Sequence, residues 1–156
     1  MIKQYPKKEP RIPFTQTGYD ELVAERAKLN SQRPEAVENL RKSREMGDLS
    51  ENGYYKASRA QLSFLDARLR RANRLIKLAV IVGASNNGLI QIGSTVKITD
   101  GTRELELTVV GGYESDPTKH TISHLSPIGR AIMGKKSGDV VTVSAPAGMS
   151  PPPIWA

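Results

Sequence analysis

The residues best suited to chemistry in this chain lie in one short run, Gly47-Asp48-Leu49-Ser50-Glu51-Asn52. Asp48 and Glu51 are three residues apart, so at the start of a helix both carboxylates can face one point. Carboxylate oxygens are hard donors suited to Mg²⁺, which prefers octahedral oxygen coordination and keeps several of its waters. Two carboxylates are too few to hold that ion tightly, so a metal site built on them alone is incomplete. Ser50 and Asn52 could position a water beside the pair. The same spacing has a second meaning. Asp48 as N-cap with Glu51 at the third helical position resembles a capping box, and carboxylates stabilise a helix N-terminus without any catalysis. The two roles are compatible, and the hexapeptide alone does not choose between them.

Two long helices must position this run. In residues 51–79, Tyr55, Ser58, Leu62, Leu65, Leu69, Ala72, Ile76 and Ala79 recur at alternating steps of three and four, which is the a/d seam of a coiled coil. In residues 17–46, Tyr19, Leu22, Leu29, Ala36, Leu40 and Ser43 fit the same register, Arg26 and Arg33 occupy two further seam positions, and Val23 and Val37 widen the stripe. Joined by so short a turn, the two helices are expected to fold back as an antiparallel coiled-coil hairpin with residues 47–52 at its tip. Thr15 or Thr17 is the candidate cap of the first helix. Pro34 lies inside its pattern and predicts a kink or a fresh helical start. At roughly 1.5 Å per residue a helix of ~30 residues is about 45 Å long, so the hairpin is a probe and not a compact core.

After Val82-Gly83 the period changes. Gly83 to Gly88 reads as a linker or turn, followed by β-rich runs at Ser94–Thr99, Glu104–Val110, Thr121–Leu125 and Asp139–Ser144, separated by Gly, Asp and Pro. Pro127 to Met133 reads as a short helix with Pro at its first position, ended by Gly134. These elements predict a small antiparallel sheet with one helix, and an α+β chain of two domains, residues 1–83 and 84–156. The tail from Ala147 is rich in Pro and is expected to be extended or disordered.

The charge is unevenly divided. Residues 1–83 carry 17 Lys/Arg against 10 Asp/Glu, whereas residues 84–156 carry 6 of each, so the whole net charge of +7 belongs to the first half. A basic segment of this kind favours nucleic acid, or a channel that holds it; the alternative is a merely solvated helical face. Arg41 and Arg44 flank the tip about one turn apart on the first helix, and Lys56 and Arg59 mirror them on the second. Arg68, Arg70, Arg71, Arg74 and Lys77 lie further back. Arg26 and Arg33 read as structural, snorkelling from the seam, and Tyr55 as packing. With no cysteine in the chain, disulfides and zinc-thiolate sites are excluded. His120 and His124 have no third ligand evident in sequence and read as surface residues. No apolar run is long enough to span a bilayer, and Met1 to Pro13 lacks the apolar core of a secretory signal. The expected location is cytoplasmic, with no membrane partner.

The whole pattern resembles the Gre family of bacterial transcript cleavage factors (GreA/GreB) over about residues 14–148. The resemblance rests on Gly18-Tyr19-Asp20-Glu21-Leu22, Arg33-Pro34-Glu35, and the tip run with Tyr55 following. In the second half it rests on Ile92-Gly93-Ser94-Thr95-Val96, Ile122-Ser123, Ser126-Pro127-Ile128-Gly129-Arg130-Ala131, Gly134-Lys135 and Gly138-Asp139-Val140-Val141. It implies that the hairpin enters the secondary channel of RNA polymerase and that an FKBP-like second domain docks on the rim. The factor, acting as a monomer, would then stimulate the polymerase's own hydrolysis of backtracked RNA. In relatives the acidic tip pair helps hold the second Mg²⁺ and its water, which carries over to Asp48 and Glu51, with Ser50, Asn52 and Tyr55 in support. The basic patch that holds the extruded RNA 3′ segment carries over to Arg41, Arg44, Lys56 and Arg59, and the rim contact to Leu125, Ser126 and Pro127.

Three features depart from the family pattern. Tyr54 stands where an acidic residue is common, Leu125 where an acidic residue or Asn is common, and Ala145 to Pro153 offers no closing strand. Three rival readings differ in class. A channel-entering regulator that inhibits or competes without cleavage has no need of Asp48 and Glu51. A peptidyl-prolyl isomerase needs an aromatic-lined apolar pocket, yet both phenylalanines, Phe14 and Phe64, fall outside the second half. A plain coiled-coil nucleic-acid binder leaves the acidic tip unexplained.

Overall fold

The computed structural model describes residues 10–46, 53–85, 87–99, 104–143 and 154–155. In chain order the elements are β1 (Ile12–Phe14), α1 (Gln16–Glu45), α2 (Gly53–Leu78), β2 (Ala79–Ile81), β3 (Thr95–Thr99), β4 (Glu104–Val110), β5 (Thr121–Ser123), α3 (Pro127–Ile132), β6 (Val140–Val141) and β7 (Ile154–Trp155). They fall into two compact units: Asp20–Leu78 is one, and Met1–Tyr19 together with Ala79–Ala156 is the other. Helices in one unit and a sheet with a short helix in the other make the chain α+β, as the sequence pattern predicts.

In the helical unit, Leu29 and Ala36 of α1 pack with Leu65 and Leu69 of α2, and Leu62 adds to the cluster. The buried positions Leu29, Ala36 and Ser43 on α1 and Ser58, Leu65 and Ala72 on α2 recur every seven residues, the heptad spacing of a seam. Two ion pairs join the helices along its flanks, Arg33 to Asp66 at 2.8 Å and Arg68 to Glu25. Their order along the two helices shows that α1 and α2 run antiparallel. Arg33 is therefore structural, through a cross-helix pair. The structure departs from the predicted stripe in three places. Val37 is 41% exposed and outside the seam. Leu75, and not Ile76, is buried near the end of α2, and Ala79 belongs to β2. Pro34 does not end α1: it lies on the solvent side, beside exposed Arg33 and Glu35, where water can satisfy the carbonyl that its missing N–H leaves free.

In the sheet unit, β1 and β2 pair parallel with Phe14 opposite Ile81, a pairing that strands of three residues give too little pattern to foresee. The larger sheet has the order β5-β4-β3-β7-β6. It is mixed, not antiparallel throughout: β3 and β4 are antiparallel, while β5 runs parallel to β4 with Thr121 opposite Thr108. The ten residues between β4 and β5, including a 3₁₀ turn at Pro117–Lys119, allow the crossover that a parallel pair requires. The expectation of a sheet without a closing strand is also corrected. Ile154–Trp155 forms β7 between β3 and β6, with Trp155 opposite both Thr99 and Val140. Its two residues follow three prolines, which hid it from a pattern search. The core behind this sheet is Ile90, Val109, Ile132 and Val141. Ser126 caps α3 by accepting from the Gly129 N–H at 2.9 Å, and Pro127 opens the helix, as expected for Pro at the first position.

Within this unit one carboxylate holds Thr15, the residue before α1. Glu114 accepts from the Thr15 N–H at 3.0 Å, from the Thr15 hydroxyl and from the Gly111 N–H at 3.1 Å. The Thr15 Oγ1 in turn accepts from the Gly18 N–H at 3.0 Å, so Thr15 is the N-cap. The approach is so close that a Cβ on Gly18 would collide with Glu114 Oε2; any side chain there displaces the carboxylate.

Thr15→Ala is expected to lower stability by about 1 kcal/mol, with Thr15→Ser retaining most of it. Ile132→Ala, at a fully buried core position, is expected to cost about 2–5 kcal/mol. Chemical denaturation of the three variants checks both.

Candidate functional site

Asp48, Ser50, Glu51 and Asn52 lie outside the described residues, so the structure reports on the site through its two flanks, Arg41–Met46 and Gly53–Arg59. The seam brings these flanks together. The guanidinium of Arg44 on α1 stands 6.0 Å from the centre of the Tyr55 ring on α2, within reach of a cation–π attraction. Tyr55 is half-buried there, and Ser43 and Ser58 are 0% and 3% exposed. Small side chains at this end of the seam let two helices approach closely. Tyr54, one of the departures from the family pattern, is exposed.

The basic residues named from sequence differ sharply in what surrounds them. Arg41 is held by its own helix. It donates to both carboxylate oxygens of Glu38, at 2.9 and 2.8 Å, and to Glu45. Hydrogen bonding from Arg41 holds the Glu38 carboxyl below its ordinary range, and Lys42 adds to the effect at 3.9 Å. Glu38 and Glu45 raise the already high pKa of Arg41. Glu38-x-x-Arg41-x-x-x-Glu45 has the spacing of helical i,i+3 and i,i+4 pairs, a signal that could have identified this cage from sequence. Lys56 and Arg59 on α2 are exposed, and neither is ion-paired among the described residues. Further from the tip, Arg68 is committed to Glu25 and stands 5.8 Å from the Phe64 ring.

In the sheet unit, Leu125 is 54% exposed, just after β5. Its N–H donates to the Ser123 hydroxyl at 3.0 Å, which turns the chain outward. Ser126 and Pro127 follow as the cap and first residue of α3. Leu125 therefore projects from a turn locked on both sides, a rigid place for an apolar contact. A cavity of about 360 Å³ lies in the same unit, lined by Val82, Gly83, Leu89, Ile90, Gln91, Ile92, Met133 and Gly134, none of them aromatic. His120 ends the 3₁₀ turn in a left-handed conformation, and His124 Nδ1 lies 3.2 Å from the Val110 carbonyl. Among the described residues no group of three His, Asp or Glu could hold a metal, and no helix is long and apolar enough to cross a membrane.

Comparison with known proteins assigns this architecture. A family model described as "Transcription elongation factor, N-terminal" matches residues 12–81, and one described as "Transcription elongation factor, GreA/GreB, C-term" matches residues 85–151. Transcription elongation factor GreA of a Nitratiruptor species is 38% identical over 144 residues, covering 90% of this chain and 88% of that protein. Its counterpart in Paracoccus denitrificans is 37% identical over 142 residues, 88% of this chain and 91% of that protein. Among solved structures, the GreA factor homolog 1 (Gfh1) protein of Thermus thermophilus is 25% identical, covers 93% of this chain and 96% of its own, and has a TM-score of 0.45. The chain belongs to the GreA/GreB family of transcription elongation factors.

The Arg41 cage has a pH signature. Because the folded-state pKa of Glu38 is lowered, its pairing is complete above the ordinary glutamate range and is lost as pH falls through the lowered value. An NMR titration is expected to place the Glu38 midpoint below that of an unpaired glutamate, and Arg41→Gln to return it upward. No difference between the two proteins would exclude the cage.

Proposed function

We propose that this factor stimulates the Mg²⁺-dependent hydrolysis of backtracked nascent RNA by RNA polymerase, rescuing arrested complexes. The observation that carries the reading is the Asp48/Glu51 pair, retained in the run that joins α1 to α2 in a chain of this family. The hairpin enters the secondary channel and brings both carboxylates to the polymerase's active centre. The donor set suits Mg²⁺ in kind, being hard oxygen, and falls short in number, so Asp48 and Glu51 hold the ion jointly with polymerase ligands. Asp48 and Glu51 would hold an ion whose chemistry, when bound, would be to lower the pKa of a water and to neutralise charge on the phosphate. Ser50 and Asn52 orient the attacking water. Tyr55, with Arg44 stacked on it, buttresses the flank behind the carboxylates. The isolated chain hydrolyses nothing, since the site is completed only on the polymerase.

Arg44, Lys56 and Arg59 hold phosphates of the extruded RNA 3′ segment. Contacts of this kind position RNA without reading its sequence. Arg41 contributes less, because contact with phosphate would first have to displace Glu38 and Glu45. Leu125, Ser126 and Pro127 dock on the polymerase rim, with Leu125 supplying an apolar contact in place of the polar one common in relatives. The rival prolyl-isomerase reading finds no support in the cavity beside Ile90 and Met133 or in a second one lined by Leu89, Thr95 and Lys97, since neither lining has the aromatic walls such a site requires.

The test is RNA cleavage in a stalled, backtracked elongation complex with Mg²⁺, wild type against Asp48→Asn. Asn matches Asp in size and would serve equally as an N-cap, so the substitution removes chiefly a metal-ligand charge. Fast cleavage by wild type and its loss in the variant are expected. Wild type that binds polymerase yet leaves cleavage at the intrinsic rate would replace this reading with that of a competing or inhibitory channel binder.

A further inference from the structure

We propose that Asn87 is a site of spontaneous deamidation, at which the connection between β2 and β3 acquires an aspartate or isoaspartate. Asn87 and Gly88 are both exposed. Gly88 has a φ of +74°, and nothing lies within 4 Å of where a side chain on it would project. The Leu89 N–H donates to Asn87 Oδ1 at 3.1 Å. Each of these facts bears on one reaction, attack by the Gly88 peptide nitrogen on the side-chain carbonyl carbon of Asn87. A following residue with no Cβ leaves that nitrogen uncrowded. Exposure admits the water that removes its proton. The Leu89 N–H meets the oxygen on which negative charge develops, as a donor in an oxyanion hole does.

In the first step the Gly88 N to Asn87 Cγ bond forms and the Cγ–Nδ2 bond breaks. The Gly88 nitrogen loses its proton and the amide leaves as ammonia. The resulting five-membered succinimide takes up one water. Opening at Cγ gives aspartate, and opening at the main-chain carbonyl gives isoaspartate, in which the chain continues through the side-chain carboxyl. One water is consumed, one ammonia is released and one negative charge is gained, with no change of oxidation state. Asn30, Asn39 and Asn73 are poor competitors. They lie inside α1 and α2 and precede Ser31, Leu40 and Arg74, so the following peptide nitrogen carries a side chain and sits in a helix. Asn52-Gly53 is the second Asn-Gly pair, with Asn52 outside the described residues.

The experiment incubates the full chain at neutral and mildly alkaline pH and maps its peptides by mass spectrometry. Isoaspartate is detected by transfer of a labelled methyl group with an isoaspartyl methyltransferase. Asn87 is expected to convert at least an order of magnitude faster than Asn30, Asn39 and Asn73, giving both products at a rate that rises with pH. Asn87→Gln removes the signal from that peptide, because ring closure would then be six-membered, and Gly88→Ala slows conversion. Circular dichroism confirms that the variants remain folded. An Asn87 that is still an amide when the helical asparagines have begun to convert would overturn the proposal, as would product confined to Asn52.

Discussion

Leu29, Ala36, Leu65 and Leu69 hold α1 against α2, and every group that flanks residues 47–52 inherits its place from that contact. A two-helix seam buries few side chains, each contributing about 1.5–3 kcal/mol when fully buried. The ion pairs along it are exposed and contribute ~0–1 kcal/mol each. Their value is in registration. Arg33 with Asp66, and Arg68 with Glu25, mark which turns of the two helices face each other. Toward residues 47–52, apolar residues of the seam give way to buried Ser43 and Ser58, which add little hydrophobic stabilisation. Among the described residues, apolar packing along the seam therefore thins toward residues 47–52.

The other end of α1 is fixed by different means. Glu114 takes three donors from Thr15 and Gly111, and Thr15 passes the connection on to the Gly18 N–H. An N-terminal helical turn has orphan N–H groups that need acceptors. Here a side-chain hydroxyl satisfies one of them and a carboxylate almost a hundred residues away secures that hydroxyl. The cap and the tertiary contact are one network, so neither can be altered alone.

Legibility in the sequence follows the length of the pattern. The helices were plain because thirty residues of alternating three- and four-residue steps admit one reading, and α3 because Ser126, Pro127 and Gly134 are start and stop signals of known mechanism. The short strands were harder. Ile12–Phe14, Ala79–Ile81 and Ile154–Trp155 are too brief to show alternation, and their pairing is decided by partners distant in sequence. Leu75, three residues after Ala72, is buried where the seam step of four would bury Ile76, and nothing in the heptad pattern signals the change. At the candidate site, residue types and spacing point to the carboxylates, which lie outside the described residues, and to the basic flanks, but not to the occupation of Arg41 by Glu38 and Glu45. Charge counts a residue once, whereas a neighbouring Glu three or four positions away decides whether the charge is available.

That occupation makes the hairpin electrically two-sided. On α1, Glu38 and Glu45 close around Arg41, and Lys42 leans toward the same carboxylate. On α2, Lys56 and Arg59 face water. Among the described residues, a polyanion reaching this end meets a largely neutralised flank on one side and a cationic one without ion pairs on the other. Counterions condensed on a nucleic acid strand are released only where an unpaired cation replaces them. A strand bound there would be guided past Lys56 and Arg59, and the dependence of its binding on salt would count those two and Arg44 and pass over Arg41.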